Sequence, residues 1–237
     1  MLGSVFAGRT RKDGLPLLRG ARGMAEQPKK REEHEEKETG RLEAFSDGVF
    51  AIAITLLVLE LKVPDLTATG GSPDALAKAL LQQWPSYVGL VTSFFTILIM
   101  WVHHHAILRN VCRTDAWLHF ANGGLLFGVT FVPYPTSVLA AYFETPAARM
   151  AAAFYSGTFV FMALCFYLFI RAAFRKPLLS ASASQAFIEK TCHQYMFGPP
   201  AYLLATIGAL VDVRLSLAIC TILWVFWAAT ITKNTRA

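Results

Sequence analysis

Charge and cysteine are both scarce in this sequence. Only 16% of its 237 residues are charged, whereas a soluble domain typically carries about 25%. The four cysteines form no Cys-x-x-Cys pair, which argues against a disulfide framework and against a thiolate metal site. Hydrophobic residues make up 54% of the chain and lie in long runs. We therefore expect the protein to reside in a lipid bilayer.

Signatures of several other functions are also absent. The sequence has no nucleotide-binding loop, catalytic triad or paired-carboxylate site, so we expect no enzyme, no catalytic residue and no cofactor. The net charge of +6 does not indicate a nucleic-acid partner, because the basic residues lie between apolar blocks and not among readout side chains. Charged residues in the first 20 positions interrupt the apolar core that a secretory signal requires, so we expect the N-terminus to stay inside.

Six apolar stretches approach or reach the roughly 20 residues that a helix needs to cross a bilayer. The sequence therefore predicts an all-α integral membrane protein with six transmembrane helices. Pro133 and Pro135 should kink or unwind the end of the third helix, and residues 212–214 predict a tight polar turn between the last two. Gly124 and Gly128 would let a second helix approach closely. The predicted spans cover about residues 44–61, 85–102, 116–141, 150–173, 195–211 and 215–231.

The distribution of lysine and arginine predicts the topology. Of the 22 basic residues, 18 fall on one side of the predicted spans and 4 on the other. Without the long N-terminal tail the ratio is still 8 to 4, so the positive-inside rule places both chain termini in the cytoplasm. We expect residues 1–40 to be a disordered, charged cytoplasmic tail and residues 233–237 a short second tail. Met24 is a second plausible start of translation.

Two smaller features can be interpreted from local patterns. Ser72, Pro73 and Asp74 predict the start of a short amphipathic helix, which we expect to lie on the outer surface. Asp47 lies near the start of the first span. A carboxylate there must be paired with another polar group, unless it interacts with the N-terminus of the helix. It could bond to Arg41, Ser46 or neighbouring helices, or it could complement the helix dipole beside a capping Ser46. The pattern does not decide between these two interpretations.

The first span also carries an apolar stripe of Val49, Ile52, Leu56 and Leu59 at helical spacing. Because the helix is apolar all round, the stripe could face a pore, lipid or another helix.

Three consecutive histidines, 103 to 105, resemble a metal cluster at first. Successive helical residues point about 100° apart, however, so three in a row cannot converge on one ion. Ligand pairs on a helix are spaced i and i+4 instead, and we expect no metal site here. Trp101 fits an interfacial aromatic belt.

Several separated motifs together resemble one known family. Over residues 41–140 the sequence is similar to the transmembrane protein 175 family, the endosomal and lysosomal potassium channels and their bacterial relatives. The last three spans agree with the family only in length and polarity. The matching residues, in order, are Arg41-x-x-x-Phe45-Ser46-Asp47, Trp101-x-x-His104, Asp115, Asn122 and Pro133-Tyr134.

The resemblance implies a potassium channel in which residues 41–232 form a six-helix channel domain and the first helix lines the pore. Animal members carry two such units, whereas this chain has a single Phe-Ser-Asp element. That implies the bacterial type, a homotetramer in the plasma membrane.

The resemblance also assigns roles to individual residues. Ile52 would form the narrowest apolar ring, Leu56 and Leu59 further rings, and Thr55 would lie close to the constriction. No Thr-Val-Gly-Tyr-Gly filter occurs, so the rings would gate by dewetting and favour potassium moderately over sodium, because potassium is more weakly hydrated. A cytoplasmic polar network would comprise Arg41, Phe45, Ser46, Asp47, His104 and Asn122.

Other functions remain possible from the residues alone. One is a secondary transporter of a cation or a small molecule, although ionisable groups are scarce at mid-membrane depth and a proton-coupled carrier needs them. Another is a membrane-embedded enzyme or a metal-handling protein that uses the histidine run. The long charged tail, His103 and His105 depart from the family pattern and bear on regulation and pH response.

Overall fold

Helices form nearly all of the described chain. The computed structural model describes residues 38–67 and 71–234, and within these ranges it contains nine α-helices, two short 3-10 turns (Leu57–Glu60, at the end of the first helix, and Lys176–Leu178) and one isolated β-bridge. The all-α class is therefore confirmed. The predicted tails lie largely outside the described residues. The helices are α1 (Glu38–Glu60), α2 (Pro73–Gln82), α3 (Trp84–Leu108), α4 (Ala116–Phe131), α5 (Pro133–Tyr142), α6 (Ala148–Ala173), α7 (Gln185–Met196), α8 (Gly198–Val211) and α9 (Val213–Asn234).

Five of the predicted spans are long and apolar enough to cross a membrane. They are α1, α3, α4 together with α5, α6, and Val213–Thr230 of α9. Most extend beyond the predicted limits at their polar ends; α1, for instance, is already helical at Glu38, and α3 continues to Leu108. Hydropathy marks only the apolar part of a helix, whereas backbone hydrogen bonding continues until a residue stops it.

The predicted fifth span is interrupted. Residues 195–211 belong to two helices that meet at Phe197, and α8 itself has 14 residues. At 1.5 Å per residue such a helix is about 21 Å long, shorter than the hydrocarbon core. Pro199 and Pro200 lie in the first turn of α8, and proline lacks the donor that would join that turn to α7. The prediction of one continuous helix here was wrong.

The break in the third span was predicted correctly. α4 ends at Phe131 and α5 begins at Pro133. At the break the Val132 carbonyl accepts both from the Thr136 amide at 3.2 Å and from the Thr136 hydroxyl at 2.8 Å. Ser93 of α3 lies 2.8 Å from the Thr136 hydroxyl and 3.2 Å from that of Tyr155 of α6. Neighbouring helices thus supply the polar groups that a break at membrane depth requires.

Helix α6 is central, since it packs against α4, α5, α8 and α9. The glycines of α4 allow the close approach that their spacing predicted. A Cβ atom added to Gly128 would lie 2.9 Å from Met162 Cγ, and one on Gly124 would lie 3.7 Å from Cys165 Sγ. Any side chain at position 128 would therefore push α4 away from α6.

The connecting segments gather at two ends of the bundle. At one end Val111 and Leu179 form an antiparallel β-bridge that joins the α3–α4 and α6–α7 loops; we call this the bridge end. The start of α1 is there too, because Thr114 donates to the Glu38 carboxylate at 3.4 Å. These are the segments that the basic-residue count grouped on the predicted cytoplasmic side.

Two of the other three predicted loops meet at the opposite end. The Gln83 amide donates to the Lys62 carbonyl at 2.7 Å, which joins the segment after α1 to the α2–α3 turn. Trp84 packs edge-on against Phe143 after α5, with ring centroids 4.9 Å apart. The helix start predicted at Ser72 is confirmed, since its hydroxyl accepts from the Ala75 amide at 3.3 Å. The positions of these loops agree with the predicted alternation of the chain across the bundle, although α8 is too short to count among the five described helices that could span a membrane.

Candidate functional site

One face of α1 is packed and the opposite face is open. The packed face carries Leu42, Ser46, Phe50, Ala53 and Leu57, all buried. The open face carries every residue that was assigned to the pore: Ile52, Thr55, Leu56 and Leu59. Ile52 is 57% exposed and Leu59 is 70% exposed in the single chain.

The stripe predicted on α1 is only partly open: Val49 is partly buried against the core, whereas Ile52, Leu56 and Leu59 are exposed. The spacing of i, i+3 and i+4 keeps the open residues on one continuous line along the helix. The Thr55 hydroxyl donates to the Ile52 carbonyl at 2.8 Å, so its proton is used within the helix. The open face is therefore apolar over its length, and it is available to another subunit, to lipid or to an aqueous pore.

A chain of buried hydrogen bonds attaches the packed face of α1 to α4 and α3. The Asn122 amide donates to Ser46 Oγ at 2.9 Å, and Ser46 in turn donates to the Leu42 carbonyl at 2.8 Å. On its other side Asn122 Oδ1 lies 2.8 Å from His104 Nε2. Since an amide oxygen only accepts, this imidazole nitrogen carries the proton. Three of the six predicted network residues thus form one connected chain.

The other three predicted network residues lie elsewhere. Arg41 and Phe45 are exposed and line a recess of about 410 Å³ beside His119, at the bridge end. Asp47 accepts from the indole nitrogen of Trp101 on α3 at 2.8 Å. Because α1 is helical well before Ser46, neither Ser46 nor Asp47 caps its N-terminus. The paired interpretation of Asp47 is the correct one, with a partner that the sequence did not indicate.

The three histidines point to three different neighbours, as the 100° spacing predicted. His103 bonds to the Tyr195 hydroxyl of α7 and lies 3.4 Å from the Thr230 hydroxyl of α9. His104 joins the buried chain and stacks on Phe169. His105 Nδ1 lies 2.5 Å from the Glu43 carboxylate of α1. The contact with Thr230 also places the end of α9 at the same end of the bundle as the start of α1.

Asp115 holds the start of α4 at the bridge end. Its Oδ1 accepts from the Leu118 amide at 2.9 Å, and both carboxylate oxygens contact Arg175 Nη2, at 2.5 and 2.6 Å. Partial burial by itself would raise the pKa of this carboxyl, but the Leu118 amide and the Arg175 guanidinium lower the pKa on balance. The pair joins α4 to the segment after α6.

The lowered pKa of Asp115 predicts a specific pH dependence. A carboxylate with a lowered folded-state pKa stabilises the protein at pH values above the ordinary carboxyl pKa of 3.8. This contribution is lost as the pH falls through the folded-state pKa. Because Asn is also a good helix cap, Asp115→Asn removes mainly the ion pair. We expect it to lower the melting temperature by about 1–3 °C, the range for a half-exposed pair.

Thermal unfolding in detergent between pH 3 and 8 checks this. The loss should be constant from pH 5 to 8 and should shrink only as the pH falls below about 4, toward the folded-state pKa. Arg175→Gln is the matched control and should produce the same loss without adding to it in the double variant. A loss that grows between pH 5 and 8 would contradict the assignment.

A protein-family model and several known sequences match this chain. A family model described as "Endosomal/lysosomal potassium channel TMEM175" matches residues 41–133. A potassium channel of Chamaesiphon minutus is 48% identical over 197 residues, which cover 82% of this chain and 95% of that protein. A potassium channel of Streptomyces collinus is 53% identical over 130 residues, which cover 54% of this chain and 61% of that protein.

A solved structure of one such relative has the same fold as this chain. The crystal structure of a lysosomal potassium-selective channel TMEM175 homolog from Chamaesiphon minutus superposes with a TM-score of 0.74 at 44% identity, over 83% of this chain and 99% of that one. The fold and the spans define a multi-pass, all-helical membrane protein. The match to the Chamaesiphon channel covers more than 80% of this chain at 44–48% identity. The chain therefore belongs to the TMEM175 family.

Proposed function

We propose that this protein is a potassium-permeable channel and that the open face of α1, repeated in four identical subunits, lines its pore. The observation that carries the proposal is the continuous exposed stripe of Ile52, Thr55, Leu56 and Leu59 on the face of α1 opposite its packed side. Lipid can also cover an apolar face in a bilayer, so the assignment of this face to a pore is supported by the match of α1 to the potassium-channel family. The relatives from Chamaesiphon and Streptomyces are both named potassium channels, which supports the same function.

The chemistry of the stripe suggests how ions would be selected. The proposed rings contain only apolar side chains, from Ile52, Leu56 and Leu59. They offer no oxygen ligands to replace the hydration water that an ion gives up in a narrow ring. Potassium is more weakly hydrated than sodium and passes such a barrier at lower cost. The channel therefore favours potassium moderately, and dewetting of the narrowest ring at Ile52 closes it.

The buried hydrogen bonds have a supporting role. A pore radius set by α1 depends on the rotation of that helix, and a shift of one residue would turn the stripe by about 100°. The chain from Ser46 through Asn122 to His104 fixes α1 against two helices at once. We infer that this network sets the orientation of the pore-lining side chains. We also infer that the channel resides in the plasma membrane of the cell.

Ion flux out of liposomes tests the proposal. Purified protein is reconstituted in potassium-loaded liposomes, and potassium efflux is followed with a proton-ionophore-coupled dye. The same preparation is then loaded with sodium. We expect protein-dependent flux that is several times larger for potassium, and four copies per particle by native mass spectrometry. Absence of flux from well-folded tetramers, or saturable flux that requires a co-substrate, would contradict a channel.

A further inference from the structure

Three buried hydroxyl groups join α3, α5 and α6 at one point. Ser93 lies on α3, Thr136 on α5 and Tyr155 on α6, and none of the three side chains is more than 2% exposed. The Ser93 hydroxyl lies 2.8 Å from that of Thr136 and 3.2 Å from that of Tyr155. We call these three residues the hydroxyl cluster. Because each helix contributes one member, the cluster fixes the three helices relative to one another.

The direction of each hydrogen bond in the cluster follows from the number of protons. A hydroxyl has one proton to donate, and that of Thr136 goes to the Val132 carbonyl at 2.8 Å. Ser93 must therefore donate to Thr136, which uses its own proton, and Tyr155 must donate to Ser93. The hydrogen bonds form one ordered series, so the loss of the Thr136 hydroxyl leaves the buried Ser93 without its acceptor.

The backbone constrains the start of α5 only weakly. Pro133 and Pro135 lack the N–H groups that would continue the α-helical hydrogen bonds across the break, and missing donors of this kind allow a helix to bend. A backbone bond that remains at the break runs from the Thr136 amide to the Val132 carbonyl, at 3.2 Å. The orientation of α5 therefore depends on side-chain contacts, to which the hydroxyl cluster contributes the hydrogen bonds.

Helix α5 packs against the last turn of α1, as α3 does. This turn, Leu57–Glu60, is a 3-10 turn, in which residues three apart eclipse each other. Leu59 therefore lies in line with Leu56 along the open face, whereas a continued α-helix would rotate it by about 60°. The buried side chain of Leu57 attaches the turn to the core.

We propose that the hydroxyl cluster positions the pore: through α5 it holds the last turn of α1, so that Leu59 stays in line with Leu56. The proposal rests on the proposed function, because that function gives Leu59 its place in the pore. The members of the cluster are positioning residues, since they are buried and act on the stripe through the packing of α5. When the cluster is broken the turn loosens, Leu59 leaves the line, and the apolar barrier becomes shorter.

Potassium and sodium efflux from proteoliposomes containing Thr136→Val tests the proposal. Valine keeps the branched shape of threonine and removes the hydroxyl. We expect both fluxes to rise by about threefold, the population change that corresponds to an average hydrogen bond between membrane helices. The ratio of the two fluxes should not change, because the ring at Ile52 is intact. Thr136→Ser restores the hydroxyl and should give the wild-type flux.

Gly89→Ala disturbs the same contact without removing a hydroxyl. A Cβ atom at position 89 of α3 would lie 3.1 Å from Thr136 Cγ2, so the two helices must separate by a few tenths of an ångström. This variant should also raise both fluxes, and it tests the proposal independently if Thr136→Val yields little folded protein. Wild-type flux in both variants would overturn the proposal.

A double variant with Leu59→Ala tests the route from the cluster to the pore. Leu59→Ala removes the ring that the cluster positions and should by itself raise the flux. Adding Thr136→Val should then change the flux no further, because both changes act on the same ring. A second rise that multiplies the first would mean that the cluster acts on another part of the channel, which would contradict the proposal.

Thr158→Val is the matched control. Thr158 is a buried threonine of α6 whose hydroxyl donates to the Phe154 carbonyl of its own helix at 3.0 Å. The same chemical change at this position should leave the flux at the wild-type value. A rise equal to that of Thr136→Val would mean that the loss of any buried hydroxyl loosens the channel, and the cluster would have no special role.

Amide hydrogen exchange separates this proposal from the proposed function, because it requires no ion flux. The Leu61 amide donates to the Val58 carbonyl at 3.1 Å and reports the opening of the last turn of α1. Thr136→Val should speed its exchange by about threefold, and Thr158→Val should not. Faster exchange in a protein that conducts no ions would reject the channel and leave the contact between cluster and turn intact. Ion flux with unchanged exchange would reject the positioning role.

Discussion

Replacing Ile52 with Asn is expected to increase cation flux by about tenfold and to abolish the preference for potassium over sodium, a change that corresponds to about 1.4 kcal/mol in the barrier. An amide in the narrowest ring offers oxygen and hydrogen-bond donors to a hydrated ion, so the ring no longer dewets. The substitution costs the subunit little packing energy, because Ile52 is 57% exposed in the single chain. The effect should therefore appear in the flux and not in the yield of folded protein.

Flux measured with potassium and with sodium, on the same preparation, checks the result. Ile222→Asn is the matched control, because Ile222 lies on α9 and is 66% exposed. The same chemical change on a helix that does not line the proposed pore should leave flux and ion preference unchanged. If both variants leak equally, the effect comes from a damaged bilayer-facing surface. If neither changes the flux, α1 does not form the constriction.

Much of the fold follows from the distribution of apolar side chains. Length and hydropathy located the five long spans, because a lipid environment permits few alternatives to a helix of about 20 apolar residues. Pro133 and Pro135 indicated the break between α4 and α5, because proline lacks the backbone N–H that continues a helix. The same reasoning applies to Pro199 and Pro200, where the break was missed. Hydropathy counts side chains and does not register missing backbone donors. The fifth span was therefore taken as continuous, although the proline pair in its first turns was visible.

The polar contacts were harder to predict than the helices. Ser46, Asn122 and His104 are brought together as the family resemblance implied, but Asp47 is held by Trp101, which the sequence suggested only as an interfacial anchor. The partners on one helix can be read from i and i+4 spacing, whereas the choice of facing helix depends on packing across the whole chain. The orientation of the α1 stripe was undetermined for the related reason that every face of that helix is apolar.

Replacing Asn122 with Leu is expected to lower the melting temperature by about 3–6 °C, the shift that corresponds to about 1–2 kcal/mol in a protein of this size. The side chain is fully buried and joins two helices to a third. Without its amide oxygen, the imidazole of His104 loses its partner inside the bundle, whereas Ser46 can still donate to Leu42. Leaving a buried donor unpaired costs more than the net value of the lost bond, although hydrogen bonds between membrane helices average only about 0.6 kcal/mol.

A double-mutant cycle separates this penalty from a simple packing defect. His104→Phe removes the stranded donor and keeps the ring stacked on Phe169, which is 4.7 Å away. The double variant of Asn122→Leu and His104→Phe should therefore recover part of the stability that Asn122→Leu loses. Asn110→Ala is the control, because that amide donates only to the Ala106 carbonyl of its own helix end. Full additivity of the two changes would mean that Asn122 acts through shape alone and that α1 is not held by this chain of hydrogen bonds.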